Sequence, residues 1–493
     1  MHIHIILGLV AAYFIAILGF VLYARYKSTH CVMPGINEFF LASKTLHPLV
    51  LTCTYVASLF STFSIIGLPA LMYAHGLSGL YFIGFTDLIG LALLIIIGKK
   101  LHRAACDGRI FSPIEVISNA YNSRKLGFLL ALVFAASLLP YIALQLVGIG
   151  AFIDSYSDGR IDYLTGVGAM MGIVLIYLFL GGMRAVAYTD FIQLIAIIIG
   201  MLFGVIFLSY HFDFSVAELF KDLHTQSPLH FIPPGAKGQF QWPMILTMAV
   251  VTAGVFIQPH LLTRAIMAKQ ESDINIMVGG TVIGRVITLV LAVILGGFAY
   301  IHYGDSLNPN MVMGQIFKDI GLIGALGAIL AGFMIMGALG AAMSTADSLL
   351  ISIGQITTRD MIRPFMKIDH SHQVLLSKGI MALILGGAFI IGLNPPRYMT
   401  DLALYSGAIA AVLVPTFLSF AWGRRTTIGA YLSIIGGCTA MAILGILKAQ
   451  GQYPWPALHV GFIPTCLSFA LYYGCAFLLP RKMPVDPLLR AQE

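Results

Sequence analysis

The chain is expected to be an all-α polytopic membrane protein with about thirteen transmembrane helices, and three observations carry that expectation. Of its 493 residues, 59% are hydrophobic and only 10% charged, where a soluble protein carries roughly a quarter charged residues. Thirteen apolar segments reach spanning length, at 4–24, 46–73, 78–98, 126–153, 162–181, 189–210, 241–262, 275–303, 321–356, 374–394, 398–422, 427–448 and 458–479. With the N-terminus outside, 22 of the 28 lysines and arginines fall in cytoplasmic loops and helix ends, Arg25, Arg184, Arg264, Arg285 and Lys378 among them. The other side holds Arg160, Lys221, Lys237, Lys318, Arg397 and Lys448, which is the positive-inside asymmetry. An odd number of spans leaves the C-terminus in the cytoplasm.

The net charge of +7 forms no patch or stripe, so no nucleic-acid partner is expected. Cys31, Cys53, Cys106, Cys438, Cys466 and Cys475 show no metal or redox spacing and read as packing residues or free thiols. The first segment has no basic residue before it and carries Arg25 and Lys27 after it, so it reads as a membrane helix and not a cleavable signal. The external stretch 210–242 contains Pro233-Pro234-Gly235 and is expected to be partly helical. The tail after Pro480 is too short to fold.

Segment two holds Ser58, Ser61, Thr62 and Ser64 in its middle, followed by Gly67 and Pro69. It reads as a broken helix whose unwound carbonyls can coordinate an ion, or as a kinked helix satisfied by its own hydroxyls. Asp87 in segment three faces either a substrate cation or an interhelical partner. Segment four places Tyr141 and Gln145 one turn apart, suited to a bound solute or to an interhelical hydrogen bond. Thr189-Asp190 stands where segment six begins, and an N-cap is the plain reading. Segment seven echoes segment two, with Thr252-Ala253-Gly254 at mid-span and Gln258-Pro259-His260 after it; His260 is expected near the cytoplasmic surface. Two interrupted segments at corresponding places in two halves point to an inverted-repeat transporter. In segment nine, Ala341, Ser344, Thr345 and Ser348 fall on one helix face with Asp347 on its flank. Oxygen ligands of this kind suit a small hard cation, although membrane helices also use Ser and Thr as small packing residues.

The run Gly181-Gly182-Met183-Arg184-Ala185-Val186-x-Tyr188-Thr189-Asp190-x-x-Gln193, followed by AAMSTADSLL and TTRDMIRPF, resembles the sodium:solute symporter family. The likeness takes in the GLP after segment two, the Gln258-Pro259-His260 of segment seven and the Tyr405, Pro415 and Trp422-Gly423-Arg424 positions of segment eleven. The resemblance implies a leucine-transporter-type fold of five-plus-five inverted repeats. Residues 1–45 would be an extra helix and first loop, 46–210 and 241–422 the repeats, 211–240 an external loop, 423–480 two added helices and 481–493 a cytoplasmic tail.

The resemblance also implies a function and its residues. The chain would be a secondary transporter, not an enzyme, coupling Na+ to uptake of a small organic solute through the plasma membrane. The sodium ligands would be the carbonyls of Ala57, Phe60 and Ala341 and the hydroxyls of Ser344 and Thr345. Asp190, Asp347 and Ser348 would form a second cation or proton site, with a salt bridge from Asp347 to a cytoplasmic-side arginine as the alternative. Candidate solute contacts are Ser58, Ser61, Thr62, Ser64, Tyr141, Gln145, Thr252 and Gln258. Ala253 and Gly254 stand where sugar-carrying members place large aromatics, which argues against a sugar. A carboxylate-bearing solute is favoured: an amino acid such as proline, pantothenate or a monocarboxylate. No arginine or lysine is expected mid-membrane, so an anion would use half-helix N–H groups or bound sodium. Partners are then the solute, sodium and the bilayer, with no obligate protein partner; a substrate sensor signalling in trans is the rival reading.

Overall fold

The structure, a computed structural model, describes residues 3–29, 35–105, 110–180, 182–366, 369–396 and 399–478. Gly181, Cys31, Cys106 and the 481–493 tail lie outside these. Among the described residues, eight helices are long and apolar enough to span: α1 (Ile3–Thr29), α3 (Ser78–Ala104), α4 (Arg124–Ser157), α6 (Met183–His211), α8 (Glu271–Tyr303), α9 (Gly324–Ile362), α10 (His370–Gly392) and α12 (Thr427–Ala449). Three bent pairs raise the number to eleven: α2 (Pro48–Leu59 and Phe63–His75), α7 (Trp242–Ile257 and Pro259–Met267) and α11 (Thr400–Ala411 and Val414–Trp422), bent by 56°, 49° and 46°. Two shorter apolar helices, α5 (Tyr163–Leu180) and α13 (Phe462–Leu478), stand at the remaining two expected positions.

Several boundaries differ from expectation. Segment nine begins at Gly324, after a separate helix Val312–Leu322, and continues past 356 as a π-helical turn to Ile362. That turn carries the TTRDMIRPF run: Asp360 accepts from the Ser112 hydroxyl at 2.7 Å and Arg359 lies 3.4 Å from Glu115. Helix α6 starts at Met183, so Thr189 and Asp190 lie well inside it and do not cap it. The Thr189 hydroxyl instead donates to the carbonyls of Ala185 and Val186. The stretch 210–242 is partly helical: it holds the α-helix Val216–Gln226, started by a capping box of Ser215 and Glu218, and a short 3-10 helix, Pro228–His230.

α9 is the centre of the molecule. Every residue from Met334 to Ile356 is buried, and α1, α2, α4, α6, α7 and α10 all pack on it. Lipid tails are as apolar as leucine, so such packing depends on close backbone approach and not on exclusion of water. Gly337 of α9 shows this: a Cβ there would stand 2.9 Å from the Ala196 carbonyl of α6. Gly254 does the same for the first half of α7, where a Cβ would stand 2.5 Å from the Ala411 amide of α11. The bends of α7 and α11 are therefore in backbone contact. Gly254→Ala should overpack this contact and cost about 1–3 kcal/mol, read as a lowered melting temperature of the detergent-solubilised protein. Gly279→Ala, which meets open space, should leave the melting temperature unchanged.

A candidate sodium and solute site between two broken helices

The break in α2 sits at Phe60 and Ser61. Phe60 has φ −92° and ψ 83°, outside the helical region. Loss of helix leaves backbone groups without partners, and in a membrane these must be satisfied by protein. The partners come from α9 and α4. The Ser344 hydroxyl donates to the Ala57 carbonyl at 3.0 Å and lies 3.2 Å from the carbonyl of Ala341. The Thr345 hydroxyl is 3.5 Å from the carbonyls of both Ala57 and Ser58. On the other side, Gln145 Oε1 accepts from the Thr62 amide at 3.2 Å and from its hydroxyl at 2.9 Å. The Ser61 hydroxyl accepts from the Phe63 amide at 3.1 Å.

Four of the five expected sodium ligands, Ala57, Ala341, Ser344 and Thr345, are thus brought together in one buried constellation. Phe60 is not joined to it by a hydrogen bond; the carbonyl beside Thr345 is that of Ser58. The set is all oxygen and uncharged, which suits a monovalent alkali cation. Among the described residues, no group of three or more His, Cys, Asp or Glu side chains could hold a metal.

The second expected site is rearranged. Asp190 Oδ2 accepts from the Thr54 hydroxyl at 2.5 Å and lies 3.9 Å from the Arg264 guanidinium, both side chains being fully buried. Arg264 also donates to Ser348 at 2.6 Å, to Thr54 at 3.3 Å and to the His260 carbonyl. Ser348 in turn meets Ser58 at 2.8 Å. The arginine partner anticipated for Asp347 therefore belongs to Asp190. Asp347 is fully buried, and neither oxygen has a hydrogen bond. Arg264 is no loop residue, and His260, expected near the surface, is also fully buried.

The solute candidates separate into groups. Thr62 and Gln145 meet at the break, and Gln145 also donates to the Tyr141 carbonyl at 3.0 Å. The Tyr141 ring stands edge-on to His260 with centroids 6.0 Å apart. Gln258, at the break of α7, donates to Ser137 at 2.6 Å and to Ser406 at 2.8 Å, leaving its own oxygen unpartnered. Ser58 is turned to Thr54 and Ser348, away from this group. Thr252 bonds back to Met248 on its own helix. Ser64 lies 3.4 Å from Arg285.

Arg285 corrects a second expectation. It lies midway along α8, buried, with its Nε 2.8 Å from Asp87 Oδ2 and its guanidinium carbon 4.9 Å from the centroid of the Phe60 ring. The contact with Asp87 is an ion pair without hydrogen-bond alignment. A mid-membrane arginine is thus present, and Asp87 has an interhelical partner. Removing Arg264 and Arg285 from the cytoplasmic tally leaves 20 basic residues against six, so the asymmetry survives. A cavity of about 650 Å³ lies on the far side of the breaks, walled by Leu71 and His75 of α2, Met248 of α7, Leu404 and Tyr405 of α11 and, from the loop, His459. Burial, aided by the Lys448 charge, pushes His459 down to about 3, so it faces the cavity as neutral imidazole.

Two broken helices that expose backbone beside an all-oxygen cation constellation define a cation-coupled secondary transporter. Residues 39–437 match the model of the sodium:solute symporter family. The chain belongs to that family and is a multi-pass sodium symporter of a small solute. It is 27% identical to the sodium/pantothenate symporter of Escherichia coli over 486 residues, covering 96% of this chain and 95% of that one. It is also 27% identical to the osmoregulated proline transporter OpuE of Bacillus subtilis, covering 95% and 94%. Among solved structures, a Na+-coupled sialic acid symporter in a substrate-bound outward-open state aligns with TM-score 0.76 at 15% identity, over 97% of this chain and 98% of that one. Mhp1, a nucleobase-cation-symport-1 family transporter in a closed conformation, aligns with TM-score 0.58 at 12% identity, over 92% and 97%. The leucine-transporter-type fold is therefore shared.

Two outcomes follow from this geometry. Thr345→Ala removes one hydroxyl from the sodium constellation and should raise the sodium concentration for half-maximal uptake about 10- to 100-fold, the equivalent of ~1.4–3 kcal/mol. An unchanged value would move the ion elsewhere. Arg264→Met should loosen the inner half of α2. In a chain whose only cysteine is Cys53, half-buried on that half, labelling by a membrane-permeant thiol reagent should quicken roughly 100-fold or more, as expected when removing one member of a buried pair costs ~3–5 kcal/mol.

Proposed function

We propose that the chain carries a small carboxylate-bearing solute, an amino acid zwitterion in particular, into the cytoplasm with sodium by alternating access. The observation that carries this reading is the buried Arg285–Asp87 pair beside the α2 break, with charges 2.8 Å apart. The pair is itself an internal zwitterion. An incoming carboxylate competes with Asp87 for the guanidinium, and the ammonium of the same solute takes Asp87, so neither buried charge is left alone. Pantothenate and simple monocarboxylates offer only the first half of that exchange. The sodium/proline symporter of Escherichia coli, 24% identical, and OpuE support an amino acid.

In the cycle, sodium from outside takes the carbonyls of Ala57, Ala341 and Ser58 or Phe60 and turns the lone pairs of Ser344 and Thr345 toward itself. That fixes the α2 break in the form the solute meets, with Thr62, Gln145, Tyr141 and Gln258 around it. Arg264 latches the inner halves of α2 and α7 to α6 and α9 through Asp190 and Ser348 until both cargoes are in place. Asp347 stays available as a further cation or proton position next to Asp190. One charge crossing 100 mV contributes ~2.3 kcal/mol. Residues 46–210 and 241–422 act as the two repeats, with 1–45 and 423–480 as added helices around the 211–240 loop and the 481–493 tail. The orientation, N-terminus outside and C-terminus in the cytoplasm of a plasma-membrane protein, follows the basic-residue asymmetry.

Proteoliposomes with an inward sodium gradient test this. Labelled proline should accumulate, and choline in place of sodium should abolish accumulation. Arg285→Gln combined with Asp87→Asn, which leaves no lone buried charge, should raise KM for the amino acid by about 10-fold or more, the loss of one charge-assisted bond. Accumulation of lactate or pantothenate without any amino acid would overturn the zwitterion assignment.

A further inference from the structure

The 650 Å³ cavity beyond the breaks carries two charged side chains in its walls, Asp401 of α11 and Lys448 in the last turn of α12. Asp401 and Tyr405 are one helical turn apart and share a face of α11. Lys448 Nζ stands 5.5 Å from the centroid of the Tyr405 ring, a cation held over an aromatic face. Ammonium and carboxylate thus sit on the same side of the cavity, and their charges attract. Among the described residues no ion pair joins them. An ion pair open to water contributes little to stability, so the fold loses little by keeping the two apart. A ligand that carries both charges can then use each of them.

His459 adds a neutral donor to the same wall. Its Nδ1 accepts from the Gly461 amide at 3.2 Å, so the proton of the neutral ring is on Nε2. Its own backbone amide donates to the Thr247 hydroxyl at 3.0 Å, which pins the loop to α7. Lys448 with this N–H matches a carboxylate, and Asp401 matches an ammonium. Met248 and Leu404 supply apolar wall between them for a small hydrocarbon body.

The cavity leads toward both breaks. Along α2, Gly67 lies between the break at Phe60 and the cavity residues Leu71 and His75. The methyl of Thr400, the buried neighbour of Asp401, stands 3.1 Å from where a Cβ on Gly67 would be. Along α11, Ser406 holds Gln258 at the α7 break, five residues or about 7.5 Å of helix rise past Asp401. Lys448 and Ala457 at the rim are exposed. We propose that this cavity is an outer binding station for an amino acid zwitterion, whose carboxylate takes Lys448 and the His459 N–H and whose ammonium takes Asp401 before the solute passes to the breaks. This inference rests on the zwitterion reading and the orientation proposed above, and adds to them a second selection step. The solute meets one cation–carboxylate pair, Lys448 and Asp401, before it reaches another, Arg285 and Asp87. A monocarboxylate would use only Lys448 at the first.

The test uses the full-length chain in detergent with Ala457→Cys as its only cysteine, at an exposed point of the cavity wall. Labelling by a polar thiol reagent is followed in choline medium, so that the cation site between the breaks is not loaded. Proline should slow labelling several-fold, and lactate at the same concentration should not. Asp401→Asn with Lys448→Gln should raise the proline concentration for half-maximal protection about 10-fold or more, while labelling at the unmodified rate without proline. Asp401→Glu with Lys448→Arg should keep the protection, and so should Arg285→Gln with Asp87→Asn. Protection that survives the Asp401 and Lys448 exchange but is lost in the Arg285 and Asp87 variant would overturn the station, as would equal protection by lactate. Proline that accumulates in sodium-driven proteoliposomes yet gives no protection would overturn the station and leave the transport reading standing. Proline that protects without accumulating would overturn the transport reading and leave the station standing.

Discussion

Everything at the centre of this protein depends on one constraint: backbone that leaves the helix inside a membrane must find its partners within the protein. The break at Phe60–Ser61 strands carbonyls at Ala57 and Ser58 and amides at Thr62 and Phe63. Ser344 and Thr345 serve the carbonyls, Gln145 and Ser61 the amides. The same hydroxyls that make the break tolerable keep oxygen available to a cation, because a hydroxyl that donates to a carbonyl keeps lone pairs of its own. On the proposed reading, cation affinity and structural repair are one property of α9. That is also why α9 is buried from Met334 to Ile356: a helix with this duty cannot face lipid.

Around that layer two charge pairs are buried. Arg285 with Asp87 braces one flank of the break, and Arg264 with Asp190 the other. Removing one member of such a pair costs far more than the pair contributes. The two pairs therefore act less as glue than as restrictions on which neighbours each helix accepts. Asp347 stands apart from both, buried and without a hydrogen bond. The Tyr13 and Gln193 side chains face each other beside it, and both converge with α9 at Gly340.

How much of this could be read from the sequence differs by residue. The polar face of Ala341, Ser344, Thr345 and Ser348 was legible because helix periodicity alone places those residues together. The two breaks were legible because Gly and Pro sit beside hydroxyls and amides at matching points of two halves. Arg264 and Arg285 were not legible as buried groups. A basic residue near the end of an apolar run reads as snorkelling to the surface, and only the partners decide otherwise. Those partners, Asp190 and Asp87, lie 74 and 198 positions away, where no local pattern reaches. Asp190 was misplaced for a related reason: α6 extends upstream through Arg184, whose charge Glu38 neutralises, so an apparent loop is helix. Ser137 and Ser406, which hold Gln258, carry no sequence signal beyond being small and polar.

Arg264 has a consequence for how tightly such a carrier can couple its cargoes. Its guanidinium touches Asp190 of α6, Ser348 of α9, Thr54 of α2 and the His260 carbonyl of its own helix α7. A contact shared among four elements ties them to one another, since releasing one neighbour leaves the other three still holding the guanidinium in place. In the alternating-access cycle proposed above, opening at this point would have to exchange all of these contacts, which favours a cooperative step over graded opening. Tight stoichiometry then becomes a matter of branching in one side chain's contacts, more than of the strength of any bond among them.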